Sequence, residues 1–280
     1  MSFVNNGVSF STITPNGGST KDPWNVALIQ HPIKPDTIYY ANEVDTLGVG
    51  RIYANYSGTG ADPNNWTTLG LTTNSKIKTG CLSIGTPWAG SGGYMYAASK
   101  NSVYYTDKLN FAQSASNWYT ITANLPTNIE DITGIATDPN NSVNAYVVFS
   151  GYNDTIKVYR TDNCGGHCGC LGPCPTQWEN VTGSLPNVPI NCVVYDPDKT
   201  SIEAVYIGTD VGVFYRDNNI GDWVPFFHSL PNVIVEDLVI ENGYIVAGTY
   251  GRSVWRSRLY GNCWSTITLN PQPNPTSPAN

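Results

Sequence analysis

The chain has 280 residues, 12% charged, 40% hydrophobic and 12% aromatic, with 27 Gly, 19 Pro and 7 Cys. A typical soluble domain is about 25% charged, so this surface is unusually neutral, and the aromatic and β-branched content excludes disorder. A net charge of −7 excludes the basic face that nucleic acid or an anionic membrane would require, and no apolar run approaches the ~20 residues that span a bilayer.

Residues 1–6 have neither a basic stretch nor an apolar core, so they do not form a signal peptide. Lys and Arg total 14 and Met only 2, while Asn, Thr, Gly and Tyr are abundant. Either the chain is cytosolic, or a leader and more were removed or not included, and that usage, common on secreted β scaffolds, favours the second reading. The first element is a lone strand at Phe10-Ser11-Thr12-Ile13-Thr14, which matches Trp264-Ser265-Thr266-Ile267-Thr268 near the other end. A ring of sheets is often closed by pairing strands from both chain ends. Residues 8–14 are therefore expected to latch onto the strand Ser253–Arg258, within a lead-in spanning 1–25.

From residue 26 onward the chain repeats itself. The stretches 27–44, 82–99, 135–151 and 193–210 each read as an apolar strand, a turn, then a strand rich in Tyr, Ala or Val. A fifth copy at 238–251 shortens the turn to Glu241-Asn242-Gly243. Each unit continues through a third strand, such as Val103-Tyr104-Tyr105 or Val213-Phe214-Tyr215, to a Trp that opens a fourth. These Trp residues are Trp66, Trp118, Trp178, Trp223 and Trp264, at spacings of 52, 60, 45 and 41 residues. Four short strands at a period near 50 residues are the signature of β-propeller blades. The expected fold is thus all-β: a propeller of about five four-stranded blades over residues 26–269, alone or as part of a larger ring. Large aromatics are mostly buried, so the repeated Trp residues read as blade packing. Residues 270–280 hold four Pro and read as an extended linker.

Tyr105-Thr106-Asp107 with Trp118, and Tyr159-Arg160-Thr161-Asp162 with Trp178, resemble a degenerate Asp-box, the Ser-x-Asp-x-Gly-x-x-Trp turn of sialidase-like and sortilin-like propellers. Phe214-Tyr215-Arg216-Asp217 with Trp223 keeps the Asp and the Trp but lacks the hydroxyl residue. The last unit, from Trp223-Val224-Pro225-Phe226 to Ala247-Gly248-Thr249-Tyr250-Gly251-Arg252-Ser253-Val254-Trp255, is similar to closing blades in xyloglucanase-like enzymes and in Bacteroidetes surface proteins that use type IX secretion. The resemblance spans residues 8–269, and its motifs are structural. It implies that Asp107, Asp162 and Asp217 brace turns rather than catalyse.

The third unit carries an insertion with Cys164, Cys168, Cys170, His167 and Cys174. Thiolates and imidazole can hold zinc; alternatively, two disulfides staple the loop in an oxidising compartment. A Cys-x-x-Cys knuckle is missing, which favours disulfides and no metal. Cys81 and Cys192 occupy the same place in their first strands and read as buried free thiols; Cys263 is left over. Trp24 and Trp88 fall outside the blade pattern, as candidate glycan contacts or as loop anchors.

Chemistry motifs are sparse. A glycosidase needs two carboxylates about 5–10 Å apart, whereas the acids here sit mostly in turns such as Asp138-Pro139 and Asp196-Pro197. Glu130-Asp131 and Glu236-Asp237 precede the first strands of two blades, where they could face the axial end, and look like repeat features, as do Arg160 and Arg216. No phosphate loop, nucleophile elbow or sialidase Arg motif is present. The sequence therefore points to a non-catalytic, cofactor-free propeller at the cell exterior or surface. It would bind a protein or a glycan, or serve structural assembly within a larger polypeptide. The alternative is a glycoside hydrolase of xyloglucanase-like or sialidase-like type, or a fragment of one.

Overall fold

The computed structural model describes residues 2–5, 9–12, 27–41, 50–56, 66–73, 75–85, 93–111, 114–164, 178–226 and 229–261. A hairpin of β1 (Ser2–Asn5) and β2 (Ser9–Thr12) comes first. Four antiparallel four-stranded sheets follow. The first blade is β3 (Ala27–Gln30), β4 (Ile38–Ala41), β5 (Gly50–Asn55) and β6 (Trp66–Thr73). The second is β7 (Leu82–Gly85), β8 (Tyr94–Ser99), β9 (Ser102–Thr106) and β10 (Tyr119–Thr120). The third comprises β11 (Ile132–Thr137), β12 (Ala145–Phe149), β13 (Val158–Thr161) and β14 (Glu179–Asn180). The fourth comprises β15 (Ile190–Tyr195), β16 (Val205–Thr209), β17 (Gly212–Arg216) and β18 (Val224–Pro225). The fifth shows three strands among the described residues: β19 (Val235–Glu241), β20 (Tyr244–Thr249) and β21 (Val254–Arg258). The helices described are single 3-10 turns, which fits a sequence without an apolar stripe at helical spacing.

The blades stack through their faces. First strands of successive blades neighbour one another, β7 with β11, β11 with β15 and β15 with β19, so they line the inside of the array. Alternation along each strand sends one set of side chains to the preceding blade and the other to the following blade. Val193, Ile207 and Phe214 of the fourth blade meet Tyr146, Val148 and Val158 of the third, whereas Tyr206, Val213 and Tyr215 meet Leu238, Ile245 and Ala247 of the fifth. The repeat extends to ring geometry: Tyr96–Tyr105 and Tyr206–Tyr215 sit at the same place in the second and fourth blades, both with centroids 4.9 Å apart and planes at 53° and 52°.

The opening Trp residues tie blade to blade. Trp178 and Trp223 are buried, and their indole N–H groups donate to Ile121 O (2.7 Å) and Val181 O (2.8 Å) of the preceding blade. Ile121 and Val181 each follow their own blade's Trp by three positions, so one bond is repeated around the array. In the fifth blade, Asn242-Gly243 makes the two-residue turn between Glu241 and Tyr244, with φ of 51° and 76°. Both values lie in the left-handed region that a type I′ hairpin needs and that Asn-Gly tolerates.

Three sequence readings need correction. Of the expected latch at 8–14, the described part Ser9–Thr12 pairs with Ser2–Asn5, with Phe10 opposite Val4, in a two-stranded sheet apart from the fifth blade. A hairpin closes a short loop, which costs far less entropy than reaching a strand some 240 residues away. Arg160 and Arg216 are not equivalent, because Arg160 pairs with Tyr146 while Tyr215, not Arg216, pairs with Tyr206. The two arginines lie on opposite faces of their own blades and meet at the interface between them. Glu130-Asp131 and Glu236-Asp237 also differ in place, since the position equivalent to Glu236 in the third blade is Thr133.

Candidate functional site

The axial mouth is built by a feature that recurs in three blades. Each first strand carries a β-bulge at one position, between Ile132 and Gly134, between Ile190 and Cys192, and between Val235 and Asp237. The extra residue is Thr133, Asn191 or Glu236. A bulge twists its strand and re-aims one side chain, so these three residues gather at one end of the inner wall. Together with Lys76, Lys78, Gly80, Cys192 and Asp237 they line a recess of about 480 Å³.

Two of the bulged residues hold the mouth together. Thr133 Oγ1 donates to Ile190 O at 2.6 Å, and Asn191 Nδ2 donates to Val235 O at 3.2 Å and to Asp210 Oδ1 at 3.0 Å. In the second blade, Gly80 O accepts from Ile135 N at 2.8 Å. Each blade thus reaches forward to the next. Glu236 is the bulged residue of the last described blade, and it and Asp237 are exposed.

Charge is divided around the recess. Lys76 and Lys78, half-buried beside the buried anchor Ile77, stand on the second blade, while Glu236 and Asp237 stand on the fifth. Thr133 and Asn191 lie between them. The recess wall desolvates Asp237 and holds its carboxyl above the ordinary range, opposed by the Leu238 N–H that donates to Oδ1 at 2.9 Å. Cys192 and Cys81 are buried free thiols. Burial pushes the Cys81 thiol up to about 12 and raises that of Cys192 further, so neither is a nucleophile at neutral pH. Among the described residues no group of three or more His, Cys, Asp or Glu could hold a metal.

Of the residues singled out from sequence, Cys192, Glu236 and Asp237 line the recess, and the others do not. Trp24, Trp88, Cys168, Cys170 and Cys174 are outside the described residues, and Cys164 is fully buried at the start of its loop. Asp217 Oδ1 accepts from Asn219 N and Ile220 N at 2.9 and 2.8 Å, while Tyr215 OH donates to Oδ2 at 2.7 Å. At the matching turns of the second and third blades the acceptor is the Thr hydroxyl: Lys108 N donates to Thr106 Oγ1 and Asn163 N to Thr161 Oγ1. Asp162 instead pairs with Arg160 at 3.6 Å, and Asp107 Oδ1 is buried without a partner. The recess was not legible because a bulge leaves no mark in the strand pattern; its signal was the change of residue, Gly80, Thr133, Asn191 and Glu236, at one place in the repeat.

The architecture is that of a β-propeller, and solved structures agree. The GH74 xyloglucanase of Xanthomonas campestris superposes with a TM-score of 0.61 at 13% identity, covering 89% of this chain and 39% of that one. A COPII outer-coat vertex chain gives 0.61 at 11% identity, covering 89% and 61%. The Cps50 β-propeller domain of Myceliophteria thermophila gives 0.55 at 10%, covering 87% and 67%. The chain thus spans about two-fifths of the xyloglucanase and less than two-thirds of the coat protein. At these identities the likeness defines the fold, not the Asp-box lineage. No family model and no curated protein matches the sequence.

Proposed function

We propose that this chain is a non-catalytic propeller module of the cell exterior or surface, whose axial recess binds a polypeptide segment carrying both charges. The carrying observation is the recess itself, with lysines on one blade, carboxylates on another and neutral hydrogen-bonding groups between. Its lining contains no aromatic ring among the described residues, so it lacks the stacking platform a sugar ring favours. The Cys-rich loop supports an oxidising location, since Cys164 at its start is buried and disulfide-bonded.

Fluorescence anisotropy with labelled ten-residue peptides bearing Lys and Glu at varied spacing tests the reading. One spacing should bind best, and Lys78→Ala and Glu236→Ala should each weaken it about tenfold, the ~1.4 kcal/mol scale of one charge-assisted contact. Binding indifferent to both substitutions would refute the site. The second reading, a glycoside hydrolase, draws on the xyloglucanase neighbour. Glu236 and Asp237 are consecutive on one strand, however, and do not flank a bond from two sides. Xyloglucan cleavage that is lost in Glu236→Gln would establish it instead.

A further inference from the structure

We infer that the outward face of the fifth blade is a docking surface for a second copy of this chain. In the fourth blade the equivalent face is buried: Cys192, Gly208 and Val213 form one cross-strand row and Val194, Tyr206 and Tyr215 the next, packed on the fifth blade. The same rows in the fifth blade are Asp237, Gly248, Val254 and then Val239, Val246, Arg256, followed by Glu241, Tyr244 and Arg258 at the hairpin end. Val239 and Val254 are 50% and 68% exposed, values expected of a rim and not of a blade face.

The residue exchange on this face has a direction. The tyrosines that pack blade on blade, Tyr206 and Tyr215, give way to Val246 and Arg256, and the buried Cys192 gives way to Asp237. The carboxylates Asp237 and Glu241 lie on β19 with Val239, the guanidinium groups of Arg256 and Arg258 lie on β21 with Val254, and Val246 and Tyr244 lie between them on β20. Arg256 stacks over the Tyr244 ring at 4.5 Å, which keeps its charged group on this face. A twofold axis running along β20 lays β19 of each copy over β21 of the other. Arg256 then stands over Val239 of the second copy, flanked by that copy's Asp237 and Glu241, Arg258 stands over Glu241, and the reciprocal contacts repeat by symmetry. A patch complementary to itself is what an isologous interface requires.

The third blade shows how an arginine at this position is used. Arg160 is the register equivalent of Arg256, and it meets Glu203 of the next blade at 3.2 Å. Asp237 and Glu241 of the second copy are the matching carboxylates on this face. The sheet face measures about 23 by 14 Å, which is well under the ~800 Å² per partner of a stable interface. The association is accordingly weak and falls with salt.

Sedimentation of the full chain from micromolar to about 500 μM, with circular dichroism confirming the fold of each variant, tests the inference. Wild type should reach a dimer that weakens in high salt. Glu241→Arg and Arg258→Glu should each reduce association at least tenfold, and the double swap should restore it. Neither residue lines the axial recess, so peptide binding there should be unchanged in all three. A wild-type monomer throughout the range would overturn the proposal. So would dimerisation indifferent to both single swaps, failure of the folded double swap to recover, or a monomer whose β21 amides are protected by residues 262–269 of its own chain.

Discussion

Single side chains set the geometry of this propeller by bridging blades. The Trp223 indole donates to Val181 O at 2.8 Å while its rings fill the interface of the third and fourth blades. Trp223→Phe keeps much of the packing but leaves Val181 O without that donor, at a cost of about 1–3 kcal/mol. For a chain of this size a loss of 1 kcal/mol lowers Tm by roughly 2–4 °C, readable by thermal circular dichroism. Asp138 acts within a turn: its Oδ1 accepts from Asn140 N and Asn141 N at 2.8 and 3.1 Å, with the residue 2% exposed. Burial raises its pKa above the ordinary 3.8, the backbone donors only partly offsetting the desolvation. A raised carboxyl stabilises the fold below its unfolded pKa, and that contribution is lost as pH rises through the folded value. Asp138→Asn retains the accepting oxygen and removes the ionisation. The drop in Tm on leaving the acid side of the carboxylate range should therefore be smaller in the variant than in wild type; identical pH profiles would refute this account.

Whole strands are held by close approach as much as by pairing. Gly208 in β16 faces both Cys192 and Val235: a Cβ there would stand 2.5 Å from Sγ and 2.7 Å from Val235 Cγ1. Gly208→Ala should overpack the interface of the fourth and fifth blades and cost about 1–3 kcal/mol in denaturant unfolding. Gly248 is its register equivalent in β20, but the nearest atoms to a Cβ there are Asp237 Cβ and O at 3.8 and 3.9 Å. Gly248→Ala is expected to be nearly neutral, and equal costs at both sites would contradict the open face of the fifth blade. Strand identity was legible for a physical reason. Alternation, turn residues and the opening Trp mark each element locally, so Ile190–Tyr195 and Val205–Thr209 could be read without a structure. Faces and register were not, because a one-residue shift exchanges them. That is how Arg216 was equated with Arg160, and how Glu236 was paired with Glu130 instead of Thr133. The axial recess depends on those same registers.

At the scale of the molecule, each blade is stabilised by its two neighbours, as in other repeat arrays. The third blade has both faces covered, with Ile135, Val147 and Phe149 packed toward the second and Tyr146, Val148 and Val158 toward the fourth. The first blade is covered too, since Ile38, Tyr40 and Tyr53, on the face away from the second blade, are each no more than 9% exposed. The fifth blade differs: β21 is exposed at all five positions, and only one face of its sheet rests on the fourth. Opening free energy tracks buried apolar contact, so protection should fall along the array. Native-state hydrogen exchange on dilute, monomeric protein should show Val147 and Ile207 amides exchanging only through near-global unfolding. The amides of Val246 and Arg256 should exchange first, through a local opening of the fifth blade. Raising the protein concentration into the dimer range should slow β20 and β21 without changing β12. If β21 is instead as slow as β12 in dilute protein, that edge is covered and the exposed face of the fifth blade is refuted.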